Sequence, residues 1–145
     1  MAQNTVHIDA PPEEVFAALL VPEHYADWVV GTKEVRGADD DWPAVGSRLH
    51  HTVGVGPITV RDHTLVQTIE PPRRLVLLAK AGKLGDARVE IVLAADGDGT
   101  ELTMDEVAVS GPGETVPDAL TEPAIFSRNG ESLRRLKRLV EEGPL

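Results

Sequence analysis

The residue best placed to do chemistry is Glu106, a carboxylate in a segment where apolar and polar residues alternate. In ELTMDEVAVS, residues 101–110, a strand that turns Leu102 and Met104 toward the interior also turns Glu106 inward. The valines that follow argue for the opposite face, and a β-bulge near Glu106 would reconcile the two halves of the segment. The pattern therefore predicts a carboxylate inside the protein.

Asp62 is a second candidate of the same kind. Over residues 58–70, alternate positions group Asp62 with Val60 and Val66, whereas His63 falls on the other face. Asp62 and Glu106 are thus the two groups that could transfer a proton or anchor a ligand.

A carboxylate inside a protein needs a partner. Burial without one raises the pKa of a carboxyl group, which suits an acid or a base, whereas a paired carboxylate can anchor the polar end of a ligand. The candidate partners of Glu106 are Arg128 and Asn129, which belong to a predicted helix. The alternative is a buried ion pair or hydrogen bond that serves only to orient the helix on the sheet.

That helix is predicted over residues 118–142 and is the longest element of the chain. Asn129 lies near the middle of its apolar stripe, where an unpaired polar group costs free energy. We therefore expect Asn129 to meet a polar group of the sheet, and Leu133 and Leu136 to be buried. The residues that form the stripe at helical spacing are Ile125, Phe126, Leu133, Leu136, Leu139 and Val140.

The rest of the chain is predicted to form short strands joined by short turns. A first strand precedes a helix near residues 12–20 and a second helical segment near residues 23–28. Strand-like runs follow, and the turns of two to four residues between the last five make neighbouring strands antiparallel. The long helix must cover the apolar face of this sheet. The pattern predicts one α+β domain over residues 1–145.

Two aromatic residues cluster in the second helical segment. Tyr25 and Trp28 lie within EHYADW, in a chain with only 3% aromatic residues. Such a cluster either fills the core or forms the wall of a pocket.

Composition excludes several classes of function. The net charge of -10 disfavours nucleic acid or anionic membrane as a partner, and no apolar run is long enough to span a bilayer. Without cysteine there are no disulfides or thiolate ligands, and the five histidines show no metal-binding spacing. We therefore expect no metal, a cytoplasmic protein, and a monomer or homodimer.

Several short motifs are spread over nearly the whole chain: Val6–Phe16 (VHIDAPPEEVF), Trp28, Val45-Gly46, Glu70–Leu75 (EPPRRL), Gly99-Thr100 and the closing Leu133–Glu141. Together with the order of elements, these motifs resemble the START-like (SRPBCC) superfamily, in particular its polyketide cyclase/dehydratase-like branch.

The resemblance implies a helix-grip fold, in which a curved antiparallel sheet wraps around the C-terminal helix and encloses a cavity for an apolar small molecule. We expect a lipid, polyketide or aromatic metabolite to bind there without a cofactor. The alternative is a cyclase or dehydratase, in which Glu106 or Asp62 moves a proton while Tyr25 or Arg128 stabilises the developing enolate. A weaker alternative is a protein-interaction domain like the chaperone activators of the superfamily. The expected ligand contacts are Tyr25, Trp28, Asp62, Met104, Glu106, Phe126, Arg128 and Asn129.

Overall fold

The structure, a computed structural model, describes residues 2–111 and 118–143, apart from the side chains of Val55 and residues 118–122. Strands and helices follow the predicted order, with 3-10 turns at Pro22–His24 and Gly82–Leu84. The helices are α1 (Pro12–Leu19), α2 (Tyr25–Trp28) and α3 (Asp118–Glu142). The strands are β1 (Ala2–Ile8), β2 (Thr32–Ala38), β3 (Arg48–Val55), β4 (Ile58–Glu70), β5 (Arg74–Lys80), β6 (Asp86–Asp96) and β7 (Gly99–Ala108).

The strands form one curved antiparallel sheet of seven strands in the order β1-β7-β6-β5-β4-β3-β2. β2 to β7 pair with their neighbours along the chain, which confirms the predicted meander. β1 adds to the far edge by pairing with β7, so the first and last strands are adjacent. This is the helix-grip arrangement that the sequence predicted.

The register of β7 corrects one detail of the sequence analysis. Its pairing with β6 is continuous from Ala87↔Ala108 to Asp96↔Gly99, so no β-bulge interrupts the strand near Glu106. The register shifts of this sheet lie instead between β2 and β3 and between β4 and β5. Alternation therefore holds along β7.

The residues of its first turn explain why the short helix α1 begins at Pro12. Pro12 needs no hydrogen-bond partner for its nitrogen at this position, and Glu13 and Glu14 complement the positive end of the helix dipole. Val15 and Phe16 are buried on its inner face.

α3 packs against β1 and against α2. Leu133 and Leu136 are buried in the core, as predicted from the apolar stripe. The amide of Asn4 in β1 donates to the carbonyl of Phe126 at 3.0 Å, which fixes the helix against the edge of the sheet. The buried face of α3 therefore lies over the part of the sheet that contains Glu106.

Candidate functional site

A cavity of about 580 Å³ lies between the sheet, α2 and α3. Apolar side chains of β5, β6 and β7 form much of its wall, and α2 and α3 complete it. The apolar lining residues of the sheet are Val53, Leu77, Ala79, Ala87, Val89, Ile91, Met104 and Ala108, and those of α3 are Ala124 and Ile125.

Glu106 lines this cavity and is bound to α3. Its Oε2 accepts a hydrogen bond from Nη2 of Arg128, and its Oε1 accepts one from Nδ2 of Asn129 at 3.2 Å. Nε of Arg128 also lies 3.4 Å from Oδ1 of Asn129, so the three side chains form one connected cluster. The predicted contact between Glu106 and these two helix residues is confirmed.

Burial within this cluster is unequal. The side chain of Glu106 is 10% exposed, whereas that of Arg128 is 40% exposed and lines the cavity. Asn129 is buried. The carboxylate and the amide are therefore the inner part of the cluster, and the guanidinium is the part that other molecules can reach.

Tyr25 and Trp28 also line the cavity, as the sequence led us to expect. Their ring centroids are 5.5 Å apart, and the ring of Trp42 forms a T-shaped pair with that of Tyr25, with 6.5 Å between the centroids. The side chains of Tyr25 and Trp28 are also buried in the core. These two aromatics therefore both fill the core and form part of the cavity wall.

The polar atoms of these two aromatics are unusual for buried groups. The Tyr25 hydroxyl and the Trp28 Nε1–H have no hydrogen-bond partner in the part of the chain that the structure describes. Burial raises the pKa of Tyr25, so the hydroxyl keeps its proton.

His51 is a lining residue that sequence reasoning missed. Its Nε2 lies 3.0 Å from the carbonyl of Lys80, and its Nδ1 lies 3.3 Å from the hydroxyl of Thr64. Burial lowers the pKa of His51, so the neutral ring donates from Nε2 to the carbonyl and accepts at Nδ1. The sequence predicts a face for Asp62 but not the register of β3 on β4, and this register places His51 opposite Asp62 on the same face of the sheet.

Asp62 does not line the cavity, contrary to the expectation. One of its carboxylate oxygens accepts a hydrogen bond from the backbone N–H of Gly82 at 2.8 Å, and the other accepts one from that of His63 at 2.9 Å. The carboxylate therefore holds the 3-10 turn after β5. Asp62 thus lies on the predicted face of β4, opposite His51, but it lies at a point along the strand that is outside the cavity wall.

Phe126 is likewise absent from the cavity wall, although we expected it there. Its side chain is 53% exposed. Ile125, one residue earlier, lines the cavity instead, because successive residues of a helix point about 100° apart. Of the eight expected ligand contacts, the structure brings together Tyr25, Trp28, Met104, Glu106, Arg128 and Asn129.

Two further observations apply to the described residues. No group of three or more histidine, aspartate or glutamate side chains lies close enough to hold a metal ion. No helix there is both long and apolar enough to cross a membrane.

Comparison with known proteins decides the family. The model of a family described as polyketide cyclase/dehydrase and lipid transport matches residues 2–141. The chain belongs to this family. This confirms the resemblance found in the sequence. No curated protein sequence matches the chain significantly.

Solved structures of the same fold agree with the family assignment. Protein CV1439 from Chromobacterium violaceum is 21% identical, with a TM-score of 0.71 over 97% of this chain and 99% of that one. A protein from Rhodobacter sphaeroides is 24% identical, with a TM-score of 0.73 over 99% of this chain and 93% of that one. DynU16, from the dynemicin biosynthetic locus, is 24% identical, with a TM-score of 0.70 over 98% of this chain but 47% of its own length. At these identities the likeness shows the fold alone.

Proposed function

We propose that this member of the polyketide cyclase/dehydrase and lipid transport family binds an apolar small molecule in the cavity between the sheet and α3. The observation that carries the proposal is the cluster of Glu106, Arg128 and Asn129 on the wall of a largely apolar cavity. An apolar wall gives affinity by removing ligand surface from water, and a few placed polar groups give orientation. A lipid, a polyketide or an aromatic metabolite fits this description.

The size of the cavity supports the proposal. Its volume of about 580 Å³ lies within the range of roughly 300–1,000 Å³ that is usual for small-molecule sites. The family description, which includes lipid transport, points in the same direction.

A cyclase- or dehydratase-type reaction is the second candidate, because Glu106 and the protonated Tyr25 hydroxyl belong to one cavity wall. A carboxylate and a hydroxyl could move a proton and stabilise an enolate. However, both carboxylate oxygens of Glu106 already accept hydrogen bonds from α3. The Glu106 side chain is also only 10% exposed, which limits the access of a reacting atom to its carboxylate, so the arrangement favours binding over turnover.

Binding can be tested by native mass spectrometry of the purified protein and by titration with a neutral fluorescent hydrophobic probe such as Nile red. We expect a co-purifying apolar molecule or saturable probe binding. Failure of the probe and of a panel of fatty acids and aromatic polyketides to bind would contradict both candidate functions.

The role of Glu106 needs its own variant. Glu106→Gln keeps the shape but removes the charge, so we expect weaker binding, or slower turnover of a cyclisation substrate, with a smaller effect on stability. The matched control is Glu101→Gln, the same change at an exposed position of the same strand. A variant that melts at a lower temperature but binds like the wild type would show that Glu106 has a purely structural role.

A further inference from the structure

We propose that the ligand is uncharged and carries a hydrogen-bond acceptor oxygen of the carbonyl class, which binds the guanidinium of Arg128, while Glu106 and Asn129 position that guanidinium. This inference rests on the proposed binding function and specifies the chemistry of the ligand.

The hydrogen bonds within the cluster determine which kind of group it can receive. Both carboxylate oxygens of Glu106 are engaged, by Nη2 of Arg128 and by Nδ2 of Asn129. A guanidinium carries five N–H groups, and the described contacts of Arg128 use its Nε and Nη2. Within the described residues, further N–H groups remain available on this side chain, which is 40% exposed and lines the cavity. The Glu106 side chain is only 10% exposed, so the atoms of the cluster that a ligand can reach are the donors of Arg128, and the matching group on the ligand is an acceptor.

Charge determines whether that acceptor is neutral or anionic. Arg128 is balanced by Glu106, and Lys80, another lining residue, is balanced by Asp86 at 2.9 Å. His51 is neutral, as its lowered pKa requires. The described ionisable residues of the wall thus carry no surplus positive charge, and the whole chain carries a net charge of -10. A carboxylate or phosphate would lose its hydration without a free counter-charge, which disfavours an anionic ligand.

The test compares three ligands that share one aromatic body: 9-fluorenone, fluorene and fluorene-9-carboxylate. Each displaces Nile red from the wild-type protein, and the displacement curves give relative affinities. We expect the ketone to bind more tightly than the carboxylate, which loses its hydration without a free counter-charge. We also expect it to bind about tenfold more tightly than fluorene, since one hydrogen bond to a charged group is worth about a factor of ten. Equal or tighter binding of the carboxylate would overturn the inference while leaving the proposed function intact. If Nile red itself does not bind, the proposed function fails first.

Variants of the protein then test whether the acceptor oxygen of the ligand binds Arg128. In Arg128→Met the ratio of ketone to fluorene affinity should fall about tenfold, since the donor is lost and the apolar wall is kept. Arg134→Met is the matched control, because its guanidinium lies on the exposed side of α3 with Glu131. It should leave the ratio unchanged. An unchanged ratio in Arg128→Met would overturn the inference.

Glu106→Gln gives the sharpest result. It leaves the cation of Arg128 without its counter-charge, so the carboxylate ligand should gain about tenfold in affinity relative to the ketone. No gain would contradict the charge argument. If Arg128→Met fails to fold, the double variant Arg128→Met/Glu106→Gln removes both charges together and should show the same loss of ketone preference.

Discussion

Replacing Arg128 by Met should destabilise the protein more than Glu106→Gln, the change that removes the other charge of the Glu106 cluster. The change removes the cation and leaves the Glu106 carboxylate, whose side chain is 10% exposed, with Asn129 as its described partner. Removing one partner of a fully buried ion pair costs about 3 to 5 kcal/mol. An exposed pair contributes about 0 to 1 kcal/mol. Because the Arg128 side chain is 40% exposed, we expect an intermediate loss of about 1 to 3 kcal/mol in the free energy of unfolding.

Glu106→Gln should cost less, about 1 kcal/mol, because the amide oxygen can still accept a hydrogen bond from one of the two helix donors and the guanidinium left without its counter-charge is 40% exposed. The double variant Arg128→Met/Glu106→Gln should be more stable than Arg128→Met alone, since it removes the orphaned charge. This order distinguishes a buried charge from a simple loss of packing.

Urea unfolding followed by far-UV circular dichroism measures all three variants against the wild type. For a chain of this length, a loss of 2 kcal/mol corresponds to roughly 6 °C in Tm. If Arg128→Met were as stable as the wild type, or if the double variant were less stable than Arg128→Met, the carboxylate would not depend on the guanidinium and our account of the cluster would be wrong.

Three further changes test other parts of the structure. Leu136→Ala should lower the free energy of unfolding by about 2 to 5 kcal/mol, since Leu136 is fully buried under the sheet; a loss below 1 kcal/mol in urea would contradict this. Tyr25→Phe removes a buried hydroxyl with no partner in the described residues, so it should leave Tm unchanged or raise it, and a marked fall would reveal a partner. The hydrogen bonds that the His7 ring donates to Asp96 and then to Asp9 raise the pKa of His7 above 6.5, so the stability they add is complete below that pH and is lost as pH rises through the folded pKa. Tm measured from pH 6 to 9 should therefore fall more for the wild type than for His7→Gln, and identical slopes would exclude this contribution.

The sequence predicted the Glu106 cluster because two strong periodicities meet there. Alternation along β7 fixed the face of Glu106, and the apolar stripe of α3 fixed that of Asn129. A helix that covers the sheet must bring those two faces together. Local pattern was sufficient because both partners belong to long, regular elements.

Asp62 and Phe126 show where local pattern is insufficient. Alternation gives the face of Asp62, but the group that its carboxylate meets depends on where the chain turns after β5 and presents the N–H of Gly82. Phe126 belongs to the apolar stripe, yet it is the preceding residue, Ile125, that lines the cavity. The side chain of Phe126 is exposed. Both outcomes depend on the placement of neighbouring elements in three dimensions.

The Glu106 cluster connects the stability of the fold with the chemistry of its cavity. The carboxylate belongs to β7 and both of its partners belong to α3, so the same bonds hold the helix over the sheet and orient the guanidinium. An uncharged acceptor can bind the N–H groups that Glu106 does not use and leave these bonds intact. A ligand carboxylate would instead compete with Glu106 for the same cation and weaken the contact between helix and sheet. The arrangement thus favours a neutral ligand because such a ligand can bind without loosening the structure that forms its site.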